Sequence, residues 1–135
     1  MKRYVGTKII HAVDEKHSES GREGYRVRYA DGYESWSPKE AFEDAYRECD
    51  AMTFGLALEL LKKGMNVCRA GWNGKGMWLA IVEGYDYNPK TDNGAVHALG
   101  CEKLPWIGMK TADNKFVPWL ASQTDMLAED WKVVI

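Results

Sequence analysis

Apolar and polar residues alternate strictly in "GYRVRYADGYESW", where Tyr25, Val27 and Tyr29 are separated by Arg26 and Arg28 before Asp31-Gly32 leads into Tyr33–Trp36. Period-two alternation on both sides of an Asp-Gly pair predicts a β-hairpin, because that pair accepts the positive φ angles of a tight turn. The period then changes. In "SPKEAFEDAYR", Ser37 is placed to cap, Pro38 suits a first helical position and Glu40 completes a capping box, so a short helix is expected from Pro38 to about Arg47 with Phe42, Ala45 and Tyr46 on one face.

A second, stronger helix follows in "TFGLALELLKKG". Thr53 is its cap, Phe54, Ala57, Leu58 and Leu61 recur at helical spacing, and Gly64 gives the left-handed stop behind Lys62 and Lys63. "MNVCRAGW" and "MWLAIVEGY" read as strands joined by a glycine-rich turn. "LPWIGMKTADNKFVPWLAS" reads as a hairpin turning at Asp113-Asn114, with Pro118 restricting its return strand to a sheet edge or bulge. Ser122 and Asp125 carry a capping pattern for about one helical turn, "WKVVI" is a closing strand, and Asp86–Lys103 is a long turn-rich loop. The expected fold class is therefore α+β: a β-hairpin-plus-helix module over residues 1–50, then a small antiparallel sheet with one covering helix over residues 51–135.

Composition narrows the function. The chain has 135 residues, 18 basic and 20 acidic side chains and a net charge of −2, which provides no long-range attraction to polymeric nucleic acid or to an anionic bilayer. Its three cysteines, Cys49, Cys68 and Cys101, form no C-x-x-C pair and read as free thiols in a reducing compartment. With no secretory pattern and no long apolar run, a soluble, non-membrane protein is expected.

The stretch "RAGWNGKGMW", Arg69–Trp78, resembles nucleotide chemistry at first sight. A phosphate loop of the G-x-x-x-x-G-K-[ST] type must open a helix, whereas Lys75 is followed by Gly76 and a strand. Two readings remain: a structural hairpin that buries Trp72 and Trp78, or a pocket wall in which Arg69, Trp72, Asn73 and Lys75 offer charge, a stacking face and an amide. The segment "ASQTDM" is likewise either a helix cap through Ser122 and Asp125 or a ribose clamp in which Asp125 accepts vicinal hydroxyls beside Gln123 and Thr124. Catalytic and metal chemistry find little support. No G-x-S-x-G occurs, and His97 with Cys101 makes only two ligands where zinc wants three or four. Glu129 and Asp130 are adjacent and read as a solvated turn. No catalytic residue, metal or cofactor is assigned.

"MTFGLALELLKKGMNVCRAGWNGKGMWL" and "LPWIGMKTADNKFVPWLASQTDMLAEDW" resemble the two signature blocks of the second type of Thoeris anti-defence protein, a small phage-encoded family. The resemblance implies a non-enzymatic sponge that binds cyclic ADP-ribose-type signals (glycocyclic ADP-ribose) made by bacterial TIR enzymes, in the cytoplasm of the infected host, and some members also bind cyclic oligonucleotides. It implies a homo-oligomer, a tetramer, with pockets between subunits. Carried over by position, Trp72 and Asn73 come from the "GWN" block and Gln123, Thr124 and Asp125 from the "SQTD" block; Phe54 and Arg69 are added on stacking and charge. The alternatives are an enzyme that degrades the same signal and a protein-binding module directed at a host factor. The first fifty residues lie outside the resemblance.

Overall fold

The computed structural model describes residues 1–72, 76–90 and 100–134. The fold is α+β, and the chain divides into two compact units, Met1–Glu48 and Cys49–Ile135.

In the first unit, β1 (His11–Asp14), β2 (Gly24–Arg28) and β3 (Glu34–Pro38) form an antiparallel sheet in that order, followed by helix α1 (Lys39–Ala45). The hairpin turns as expected: Gly32 has φ +88° and the Asp31 carboxylate accepts the Tyr33 N–H. The strand β1 has no counterpart in the sequence reading, because "HAVD" is too short to show a period. The Ser37–Glu40 capping box is also absent. Ser37 and Pro38 instead finish β3, and α1 begins at Lys39 without a side-chain cap. What holds α1 is aromatic packing: Phe42 stacks on Tyr25 at 4.1 Å and on Tyr46 at 4.9 Å. The Tyr25 hydroxyl donates to Glu43 at 2.7 Å, and this bond to a carboxylate pushes the phenol up to about 12. On the other face Trp36 lies over Gly24, where any Cβ would strike the indole and the Ser37 carbonyl.

The second unit is a five-stranded antiparallel sheet in the order β7-β6-β5-β4-β8, built from β4 (Val67–Arg69), β5 (Trp78–Val82), β6 (Trp106–Lys110), β7 (Phe116–Pro118) and β8 (Trp131–Val133). Pro118 stands on the edge strand β7, where a missing N–H costs no ladder bond. The hairpin before it turns at Asn114, φ 64°. Helix α2 (Phe54–Lys62) starts under a Thr53 cap that accepts the Leu56 N–H and stops at Gly64, φ +90°. It packs Ala57, Leu60 and Leu61 onto Val67, Leu79 and Trp131, all buried, with Ile81, Ile107 and Met109 alongside. Helix α3 (Gln123–Leu127) is capped by Ser122, whose hydroxyl accepts the Asp125 N–H at 3.0 Å.

Pairing puts Trp78, Lys110 and Phe116 in one row on the face away from α2. Gly108 lies beneath the Phe116 ring there, where a Cβ would collide with it, and Trp106 packs against Phe116 at 6.2 Å. Phe116 is 47% exposed. No helix among the described residues is long and apolar enough to cross a membrane.

Candidate functional site

The end of β4 and the start of β8 place Arg69 opposite Trp131, because these residues are register partners. Arg69 therefore rises on the α2 side of the sheet beside the Trp131 ring. Its Nη1 donates to Asp125 Oδ1 and its Nε to Asp130 Oδ1, both at 2.8 Å. Asp125 Oδ1 also accepts the Trp72 indole N–H at 3.2 Å, and the Asp125 carbonyl accepts the Trp131 indole N–H at 2.9 Å. Asp130 Oδ2 accepts the Gly71 N–H at 2.8 Å. The cluster thus ties the glycine-rich turn to α3 and to the final strand. Gly71 is there for space: a Cβ would come within 2.8 Å of Asp130 Oδ2 and 3.3 Å of Arg69 Nη2.

Burial makes this network consequential. The Arg69 and Asp125 side chains are each 15% exposed and Asp130 is 35% exposed. For Asp125, burial works to raise the pKa, but the hydrogen bonds from Arg69, Trp72 and Ser122 outweigh it and hold the carboxyl below its ordinary range. Asp130 is lowered chiefly by its bond from Arg69, and Arg69 is raised by the bonds to Asp130 and Asp125. Among the described residues one cation, Arg69, faces the two carboxylates, so these three side chains carry a formal charge of about −1 at neutral pH.

An aromatic wall adjoins it. Trp72 meets Trp131 edge-on at 5.4 Å and Trp119 at 6.5 Å, and Phe54 lies 5.3 Å from Trp131 and 5.9 Å from Trp119. Phe54, Trp72 and Trp119 are half-buried around a fully buried Trp131. Gln123 and Thr124, which precede Asp125 in the first turn of α3, are exposed.

Residues 52–134, which span this whole arrangement, match the family model of the Thoeris anti-defense 2-like domain. The chain belongs to that Thoeris anti-defence family. A relative named Thoeris anti-defense 2, from Bacillus phage SP01, is 42% identical over 92 residues, covering 62% of this chain and 94% of the relative. Family membership supports an anti-Thoeris role of phage origin. The matched region begins inside the second unit, so the first unit stands outside the family domain.

Within that family domain the structure gathers Phe54, Arg69, Trp72 and Asp125 at one place, while Gln123 and Thr124 are exposed chain neighbours of Asp125 with no contact to the cluster among the described residues. Asn73 and Lys75 lie outside the described residues, as does His97. One expectation from the sequence changes: Asp130 is no solvated turn residue but a second acceptor for Arg69. Trp119 and Trp131 complete the aromatic wall. Asp130 could have been found from its place immediately before a strand that pairs with Arg69; nothing local in "LAEDW" signals it. The cap and the carboxylate roles of "SQTD" also separate, since Ser122 alone caps while the Asp125 carboxylate reaches across to Arg69.

Proposed function

We propose that the protein binds and sequesters a cyclic ADP-ribose-type signal of the glycocyclic kind without cleaving it, and so keeps the Thoeris effector silent. The observation that carries this reading is the commitment of both carboxylates to Arg69. A general acid or base works best with a pKa near the working pH, whereas Asp125 and Asp130 are held below the ordinary carboxyl range. They are suited to fixing polar groups in place. In this reading Phe54 and Trp72 supply stacking surface, Asn73, Gln123 and Thr124 supply hydrogen bonds to ribose and phosphate oxygens, and Arg69 positions Asp125 toward a ribose. Anions gain little from Arg69 itself, because its charge is already met.

Phe116, 47% exposed in a row with Trp78 on the sheet face away from α2, supports a homo-oligomer, a tetramer in this reading, since self-association removes such apolar surface from water. The decisive experiment is calorimetric titration with cyclic ADP-ribose isomers and cyclic oligonucleotides, followed by heat denaturation and chromatography of the released compound. Intact signal is expected. Release of ADP-ribose or another cleavage product would make the protein an enzyme, and no binding to any member of the panel would favour a host-protein target.

A further inference from the structure

The Arg69 cluster closes into a circuit at Asp130. Its Oδ1 accepts Arg69 Nε and its Oδ2 accepts the Gly71 N–H, both at 2.8 Å, while the Asp130 carbonyl accepts the Ala70 N–H at 3.1 Å. Consecutive residues Arg69, Ala70 and Gly71 are therefore all tied to one residue. The turn also closes on itself, with the Trp72 N–H donating to the Arg69 carbonyl at 3.3 Å. At the far end of the guanidinium, Nη1 reaches Asp125 Oδ1, which accepts the Trp72 indole N–H as well. The bonds thus run from Asp130 through Arg69, Asp125 and Trp72 back to Gly71 and Asp130. Space is kept for this closure, since a Cβ on Gly71 would come within 2.8 Å of Asp130 Oδ2.

We propose that Asp130 is the positioning residue of the candidate site: it sets where the Trp72 ring and the Asp125 carboxylate stand, and so governs ligand affinity without touching the ligand. Asp125 fixes the polar edge of the Trp72 indole, and Asp130 fixes the backbone that carries it. Both carboxylate oxygens of Asp130 are needed. Its carboxyl is held below the ordinary range, chiefly by the bond from Arg69, so both oxygens act as acceptors at neutral pH. Stability alone is a poor reason for the arrangement, because Asp130 is 35% exposed and such a pair contributes little to folding. Orientation is the better one. A surface set before binding removes an ordering cost from association, and a turn that keeps the competent geometry only about one-tenth of the time binds about tenfold more weakly. What Trp72 binds rests on the sequestration reading; where Trp72 stands does not.

The test is Asp130→Asn in the full chain, which keeps the size of the side chain and the Ala70 bond to the backbone carbonyl but leaves one acceptor oxygen for two donors. Gly71→Ala, which presses on Asp130 from the turn side, is the second variant. NMR follows the Gly71 amide, the Trp72 indole N–H and the Trp131 indole N–H, whose acceptor is the Asp125 carbonyl at 2.9 Å. In both variants the Gly71 and Trp72 signals are expected to shift and to exchange faster with solvent. The Trp131 N–H, from a fully buried ring, should keep its protection and so show the fold intact. Calorimetric titration of the variants with glycocyclic ADP-ribose should give about tenfold weaker binding than the unaltered chain. An unmoved Trp72 indole signal would show that Asp130 holds only the turn backbone, and unaltered affinity would make it a purely structural residue; either result overturns the proposal. Loss of Trp131 protection in both variants would overturn it too, since Asp130 would then hold the fold and not the geometry of the site. No binding by the unaltered chain would instead sink the sequestration reading, with the Trp72 signal still deciding the positioning.

Discussion

Arg69→Met keeps the aliphatic stem and removes the guanidinium, so it isolates the ion-pair cluster from packing. Two charge-assisted hydrogen bonds of 2.8 Å are lost, to Asp125 and to Asp130. Each such bond contributes roughly 1.5–3 kcal/mol when shielded, and stranding a buried partner approaches about 3–5 kcal/mol. Asp130 is 35% exposed and regains water, so its share falls toward the about 0–1 kcal/mol of a surface pair. Asp125, at 15%, regains little and keeps only the Trp72 donor on Oδ1. The expected loss is therefore about 2–4 kcal/mol, or roughly 10–25 °C in Tm for a unit of this size. Urea unfolding of the full chain, read by tryptophan fluorescence at acid and neutral pH, measures it. Both carboxyls have folded pKa values below the unfolded 3.8, so their stabilisation is complete above that value and disappears as pH falls through the depressed range. Arg69→Met should remove that acid limb together with the stability. A change under about 0.5 kcal/mol at neutral pH, or an acid limb that survives, would show that the cluster does not hold the turn to α3.

Trp72→Ala should lower both stability and signal affinity, because the ring packs on Trp131 and Trp119 as well as facing the proposed site; a loss of about 2–3 kcal/mol in denaturant titration is expected for a half-buried indole, and unchanged stability would remove it from the wall. Gly71→Ala should displace Asp130 from Arg69 and cost about 1–2 kcal/mol in the same assay, whereas a neutral result would mean that the turn yields freely. Gln123→Ala, at an exposed position, should leave stability within about 0.5 kcal/mol while weakening signal binding in calorimetry about tenfold, and unaltered affinity would remove Gln123 from the site.

Where the sequence carried a local physical cause, the elements were legible. Thr53 and Gly64 bracket α2, Asp31-Gly32 and Asp113-Asn114 mark two turns, and Pro118 marks an edge, because each acts through its own backbone or its nearest neighbours. What escaped depends on distant partners. β1 exists through pairing with β2, from His11 opposite Arg28 to Asp14 opposite Tyr25, and four residues with no apolar period announce nothing of this. Ser37–Glu40 had the letters of a capping box, but register with Gly24 and Tyr25 kept Ser37 and Pro38 in β3. The candidate site was half legible: its aromatic and "SQTD" residues stood out by type, whereas Asp130 acquires its role only when β8 pairs with β4, 61 residues from Arg69 in the chain.

The same geometry decides how the opening alternatives for "RAGWNGKGMW" relate to each other. A turn that is purely structural would bury its tryptophan completely, and a loop serving only a ligand would leave the ring unsupported. Trp72 does neither: its indole N–H is fixed by Asp125 and its edge rests on Trp131, yet the side chain stays half-buried. Because Asp125 is itself held by Arg69, any ligand that stacks on Trp72 meets a surface whose orientation has been set before binding. Little ordering entropy is then charged to the ligand. It follows that substitutions in this cluster alter stability and affinity together, while those at exposed Gln123 and Thr124 separate the two. Affinity measured across both groups of variants therefore distinguishes a prearranged sponge site from a structural latch that happens to lie near the surface.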